Sequence, residues 1–160
     1  MKPLPKGMAI VQIEDAREIP LALLLKADPS EKNIVQYLSS AIAFAAILDK
    51  EILACCIILY LDEQQAEIKN ISVHTPWQGK GIAQHLLVVC AAHCSKNGLN
   101  TLKIATGNSS IKQLYLYQKM GFRICGVVKD YFLKNYEEEI WENGLQCLDQ
   151  VIFIKDLRVN

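Results

Sequence analysis

An excess of charge of either sign is missing from this sequence: Lys and Arg total 17, and Asp and Glu total 17. That balance removes the electrostatic reason to expect broad binding to nucleic acid or to an anionic bilayer. A membrane-length apolar run is missing as well. The longest, Ile52 to Leu61, is well short of the roughly 18 residues that suggest a span. The opening stretch MKPLPKGMAIVQIEDA has no long apolar core of the secretory type. Internal repeats, low-complexity tracts and linker-like stretches are also lacking. These absences predict a soluble, cytoplasmic chain forming a single domain over residues 1–160, with no membrane and no nucleic-acid partner.

Paired metal-type cysteines are absent too. Cys55, Cys56, Cys90, Cys94, Cys125 and Cys147 make no C-x-x-C pair. Most sit in apolar stretches, so they are read as buried, reduced thiols acting as small hydrophobes. His93 adjoins Cys94, but neighbours on a helix point about 100° apart. No metal site is expected.

What the chain has in quantity is apolar side chain, at 51% of residues, enough for a substantial core. Residues 7 to 13 alternate loosely and predict a strand. Residues 15 to 40 predict one or two short helices, split by Asp28-Pro29-Ser30-Glu31, with Ser30 as an N-cap. Residues 41 to 48 and 52 to 61 flank the polar triplet Asp49-Lys50-Glu51 and suggest a buried hairpin, although the Ala-rich first run also admits a helix. Across residues 66 to 74, Ile71 and Val73 are in phase with each other and Ile68 is not. One face survives only if a bulge shifts the register between them.

Residues 81 to 96 carry the clearest helical pattern, with Ile82, Leu86, Cys90 and Cys94 recurring every four and Asn97-Gly98 to end it. His85 and His93 on that helix are expected to face solvent. A strand over 101 to 106, a helix capped by Ser109 or Ser110 and reaching Met120, and strands over 122 to 132 and 148 to 157 complete the pattern. The order predicts an α+β or mixed α/β sheet.

The segment Val73 to Ala83 runs from a strand through a glycine-rich turn into a helix. Unpaired amides at a helix start converge on one spot, and the helix dipole adds positive potential there. Gly79 and Gly81 let a bulky anion approach the backbone, and a pyrophosphate is the natural guest. A P-loop fails, because position 74 is His and Gly81 follows Lys80. A Rossmann fingerprint fails, because position 84 is Gln. The pattern that fits is Q/R-x-x-G-x-G/A, at Gln78, Gly81 and Ala83; the alternative is a turn that binds nothing.

With Ile71-Ser72-Val73 before that turn, and Leu116-Tyr117-Gln118-Lys119-Met120-Gly121-Phe122 after the next strand, the chain resembles the GNAT superfamily of N-acetyltransferases. The likeness runs from about Ala66 to Phe122. It implies a GNAT-like, mixed, mostly antiparallel sheet in which parallel strands 4 and 5 splay apart to hold acetyl-CoA. Ile71, Ser72 and Val73 would line the pantetheine arm and acetyl group. Amides from Gln78 through Gly79, Lys80, Gly81 and Ile82 to Ala83 would hold the pyrophosphate. Two departures stand out. Gln78 replaces the commoner Arg. Counting seven residues on from the turn residue Asn108, which the resemblance implies as a cofactor-binding residue, reaches Tyr115, whereas counting back four from Gly121 reaches Tyr117. If Tyr117 is the family tyrosine, Ser110 stands where the family Asn would be.

The resemblance implies direct transfer of an acetyl group to a primary amine, with Tyr117 as the acid for the departing thiolate and Tyr115 as the alternative. Glu67 is the candidate base, with His74 as an alternative, and the Val73 amide is the candidate oxyanion donor. The acceptor, a small-molecule or peptide amine, would be met by residues 20 to 40 and 130 to 147. There Tyr131, Phe132, Tyr136 and Trp141 stand among Glu137, Glu138, Glu139 and Glu142, a pairing suited to a cationic amine. A second reading is an acyl-CoA-binding regulatory module without turnover. Many relatives dimerise, so a homodimer is implied as an option.

Overall fold

The computed structural model describes residues 1–158. Seven strands form one sheet: β1 (Ala9–Ile13), β2 (Ile42–Leu48), β3 (Glu51–Tyr60), β4 (Gln65–Val73), β5 (Thr101–Gly107), β6 (Arg123–Val128) and β9 (Gln150–Asp156). Their spatial order is β1-β2-β3-β4-β5-β9-β6. Every neighbouring pair is antiparallel except β4 and β5. A separate two-strand ribbon pairs β7 (Trp141–Glu142) with β8 (Leu145–Gln146).

The hairpin expected between residues 41 and 61 is present. Asp49 and Lys50 turn it at φ of 50° and 70°, the left-handed pair that suits the twist of a tight hairpin. α1 (Leu21–Leu24) and α2 (Glu31–Leu38) occupy the region read as short helices, and the Ser30 hydroxyl accepts from the Asn33 amide at 3.3 Å as an N-cap. α3 (Ile82–Lys96) ends at Asn97, and Gly98 follows at φ 82°. Ser110 takes the N-cap position of α4 (Ile111–Lys119), but the side-chain cap expected from Ser109 or Ser110 is not formed: both hydroxyls donate to the Glu142 carboxylate instead.

The strand expected over 122 to 132 stops at Val128. Asp130 takes φ 57° and opens the short α5 (Tyr131–Asn135). A left-handed residue breaks the extended path, and the chain turns across the sheet end instead of continuing along its edge. Cys125 is the exception among the cysteines. It sits at the register shift between Ile124 and Gly126 of the outer strand and is exposed, whereas the other five are buried.

The sheet separates two cores. On one face α3 and α4 bury Ile82, Leu86, Cys90 and Tyr117 against Cys56, Ile68 and Phe153. On the other, α1 and α2 bury Leu24, Ile34 and Tyr37 against Ala43, Cys55 and Ile57. β4 shows the expected bulge. Ile57 faces Asn70 and Ile58 faces Ile68, which leaves Lys69 as the extra residue. Ala66 and Ile68 before the bulge, and Ile71 and Val73 after it, therefore reach the same core. Without the bulge, Ile71 and Val73 would point at the opposite face.

β4 and β5 pair only from Gln65–Thr101 to Ile68–Ile104. Beyond that point β4 keeps its ladder with β3 as far as Val73, and β5 keeps its ladder with β9 as far as Gly107. Each strand follows its outer partner, and a wedge opens between them where the bulge begins. Among the described residues no helix is long and apolar enough to cross a membrane.

Candidate active site

A cleft of about 1530 Å3 passes through this wedge and opens toward both faces of the sheet. Its floor is the unpaired part of β4. The His74 amide donates to Leu53 O on β3 at 2.8 Å. Backbone groups alternate sides along a strand, so the polar groups of Ile71 and Val73 point the other way, into the wedge. Ile71, Ser72 and Val73 all line the cleft. Ser72 is also buried with its hydroxyl unpaired among the described residues, as is the Asn70 Oδ1 atom.

The glycine turn forms one end of the cleft. A 3-10 turn at Thr75–Trp77 leads into it, and Gly79 and Gly81 take φ of 73° and 84°, conformations that favour glycine. The Gln78 amide donates to Thr75 O at 3.2 Å, so it does not belong to the free set anticipated from sequence. The amides from Gly79 to Gln84 donate to nothing among the described residues. The Gln78 side chain bends back to the Val73 carbonyl at 3.1 Å, tying the turn to the strand end. Gln78, Gly79, Gly81, Ile82 and Ala83 line the cleft. Lys80 does not; its ammonium lies over the Trp77 ring at 4.3 Å.

Tyr117 enters the cleft from α4. Its ring is buried edge-on against Phe153, with centroids 5.6 Å apart, and lies near Phe122. Burial pushes its hydroxyl well above the usual tyrosine range, with nearby Cys56 adding to the shift, so it is protonated at neutral pH. Tyr115 reaches only the rim and is 65% exposed, with the Lys119 ammonium 5.6 Å from its ring centre.

Glu67 lies on the other side of the sheet plane, before the bulge. Its carboxylate is 3.6 Å from the Lys69 ammonium and 3.8 Å from that of Lys103, and it lines the cleft. Glu67 and Tyr117 thus flank the wedge from opposite faces. His74 is exposed and is not part of the lining.

Asn108 is set apart from the cleft. Its Oδ1 accepts from the Leu148 and Asp149 amides at 2.8 and 3.0 Å, and its Nδ2 donates to Gln146 O at 3.0 Å. The side chain pins the return loop to the end of β5, and three of its four hydrogen-bonding positions are taken up there. Ser110, two residues on, does line the cleft, with its hydroxyl on the Glu142 carboxylate.

Neither helix histidine is simply turned to solvent. The His93 Nε2 atom lies 3.0 Å from the Tyr60 hydroxyl, and its ring packs edge-on to Phe44 at 5.2 Å; burial lowers its pKa. His85 Nε2 meets Lys2 O at 2.8 Å.

The wall opposite the glycine turn comes from the two stretches nominated for an acceptor. Tyr136 donates to Asp28 Oδ1 at 3.0 Å, which joins the segment after α5 to the loop before α2. Phe132 stacks on Tyr136 at 5.5 Å. Of the four glutamates, only Glu142 lines the cleft; Glu139 instead accepts from the Trp141 indole at 3.0 Å. Asp28, Asn33 and Tyr37 also line this wall; the sequence nominated their stretch, but their individual places in the site escaped it. Asn70, which holds Leu24 O and the Tyr37 hydroxyl beneath them, had escaped it too. Their only signal was polar residues inside apolar periodicity.

Residues 39–124 match the family model described as the acetyltransferase (GNAT) domain. The chain is 42% identical over 135 residues to the uncharacterized N-acetyltransferase YvbK of Bacillus subtilis strain 168, covering 84% of this chain and 87% of that one. A GNAT family acetyltransferase from Elizabethkingia anophelis, solved with acetyl-CoA bound, superposes with a TM-score of 0.90 at 40% identity, covering 95% of this chain and 99% of the other. A Bacillus subtilis acetyltransferase solved with CoA gives a TM-score of 0.87 at 39% identity, over 93% and 98% of the two chains. The splayed parallel pair, the glycine turn with free amides and this likeness along nearly the whole chain all agree: the chain belongs to the GNAT family of acetyltransferases.

Proposed function

We propose that this chain transfers the acetyl group of acetyl-CoA to a primary amine by direct attack on the thioester. The observation that carries the reading is the run of free amides from Gly79 to Gln84 at the end of a wedge lined by Ile71, Ser72 and Val73. That donor set suits a diphosphate at one end and an acyl-pantetheine arm along the other. The relatives solved with acetyl-CoA and with CoA support the same assignment.

Acetyl-CoA, when bound, supplies an activated acyl carbon; the amine nitrogen bonds to it and the carbon–sulfur bond breaks. An amine attacks only when neutral, so a proton must leave it. Glu67 is the base, acting from its face of the sheet directly or through water. The Val73 amide faces the wedge and stabilises the negative charge that builds on the carbonyl oxygen. Tyr117, protonated at neutral pH, gives its proton to the departing thiolate. The aromatic wall of Phe132 and Tyr136, with Asp28 and Glu142, receives the acceptor and favours a cationic amine.

The test is CoA release from acetyl-CoA across a panel of polyamines, aryl alkylamines and peptide amino termini, with calorimetry of CoA binding alongside. Turnover with at least one amine class is expected. Tight CoA binding without turnover on any amine would leave a binding module in place of an enzyme.

A further inference from the structure

The glycine turn presents amides but no cationic side chain of its own. Gln78 stands where the pattern also admits Arg, its side chain is engaged by Val73 O, and the Lys80 ammonium lies over Trp77 outside the cleft. A cation arrives from elsewhere. Lys2 lines the cleft, and its ammonium donates to Gly79 O at 3.2 Å.

The backbone that carries Lys2 is held in place. Its carbonyl meets His85 Nε2 at 2.8 Å, on the first turn of α3. Its Cβ and carbonyl oxygen would lie 3.3 and 3.4 Å from a Cβ placed at Gly81, so the segment rests directly on the glycine. Leu4 packs against the core, Met8 is buried, and the Met8 amide donates to Pro5 O at 3.0 Å. Pro3 and Pro5 restrict the backbone between these anchors. Residues 2 to 8 therefore form a strap laid over the anion turn.

We infer that Lys2 is a phosphate-binding residue of this chain, and that its ammonium moves from Gly79 O to a phosphate oxygen of the bound CoA. The inference rests on the CoA-binding reading above. A carbonyl is a weak partner for an ammonium, and a phosphate oxygen beside it is a better one. The strap thus supplies, from 77 positions before Gly79, the charge that Gln78 lacks.

The test is calorimetric titration of CoA into the wild-type chain and its Lys2→Gln and Lys2→Arg variants, at about 50 mM and about 300 mM salt. Lys2→Gln is expected to weaken CoA binding about tenfold at low salt, the scale of one charge-assisted hydrogen bond. The loss should shrink at high salt, and Lys2→Arg should bind nearly as the wild type does. Equal affinities for wild type and Lys2→Gln overturn the inference and leave the activity intact. A Lys2→Arg variant as weak as Lys2→Gln overturns it in favour of simple strap packing. No CoA binding by the wild type overturns both readings.

Discussion

Tyr117 and Tyr115 sit two positions apart on α4 and meet opposite surroundings. One is buried at the cleft and the other stands 65% exposed. Two helical positions differ by about 200°, so only one of the pair can point inward. Spacing alone counted to both, and it was the sheet beneath α4 that separated them. Replacing Tyr117 with Phe keeps the ring and its packing against Phe153 while removing only the hydroxyl. If that hydroxyl is the acid, kcat should fall about 100-fold, with CoA affinity held within about twofold. Steady-state kinetics with calorimetry checks this, and an unchanged kcat would discard the role. Glu67 and His74 were both legible as candidate bases from residue type. His74 is exposed and outside the lining, whereas Glu67 lines the cleft.

At the scale of elements, the turns and caps were the most legible features. Ser30, Asn97-Gly98 and the glycine turn act through backbone rules that operate within a few residues. The bulge in β4 was legible for a similar reason. Ile68 and Ile71 fall out of phase within one strand, and an inserted residue is what returns both to the same face. The stretch from Lys129 to Gln146 was not legible. Its short helix and ribbon depend on contacts with Asp28, Ser109 and Ser110, far away in sequence. Asn108 shows the same limit. The family resemblance implied a cofactor contact there, yet its partners are loop backbone groups 38 to 41 positions distant. Asn108→Ala should cost about 2–3 kcal/mol, because two loop amides and a carbonyl lose their partner. Urea denaturation measures that loss. CoA affinity should change by less than about threefold, whereas a ligand-contacting Asn would cost more.

Over the whole molecule, the two cores hold groups that ionise only at alkaline pH. Burial pushes the Tyr37 hydroxyl up to about 12, and the Cys55 and Cys94 thiols to about 12 as well. In the unfolded chain such groups lose their protons near 8.5 for Cys and near 10 for Tyr. Their folded values are raised, so their contribution to stability is complete below the unfolded values and is lost as pH rises toward 12. Unfolding free energy from urea titrations should therefore hold from neutrality to about pH 8 and then decline steadily to about pH 11. A flat profile across that range would mean that these groups are reached by water in the native state.

By itself the sequence determined the mixed α+β class, the Ser30 cap, the Asn97-Gly98 stop, the bulge and the glycine turn. Each of these is decided by neighbours within a turn or a strand, where backbone geometry and hydrophobic period act directly. Only the tertiary structure decided which tyrosine enters the wedge, that Asn108 serves the loop, and that Lys2 lies on the anion turn. Those outcomes depend on which distant segments the sheet brings side by side, and nothing local to Tyr117, Asn108 or Lys2 encodes its partner.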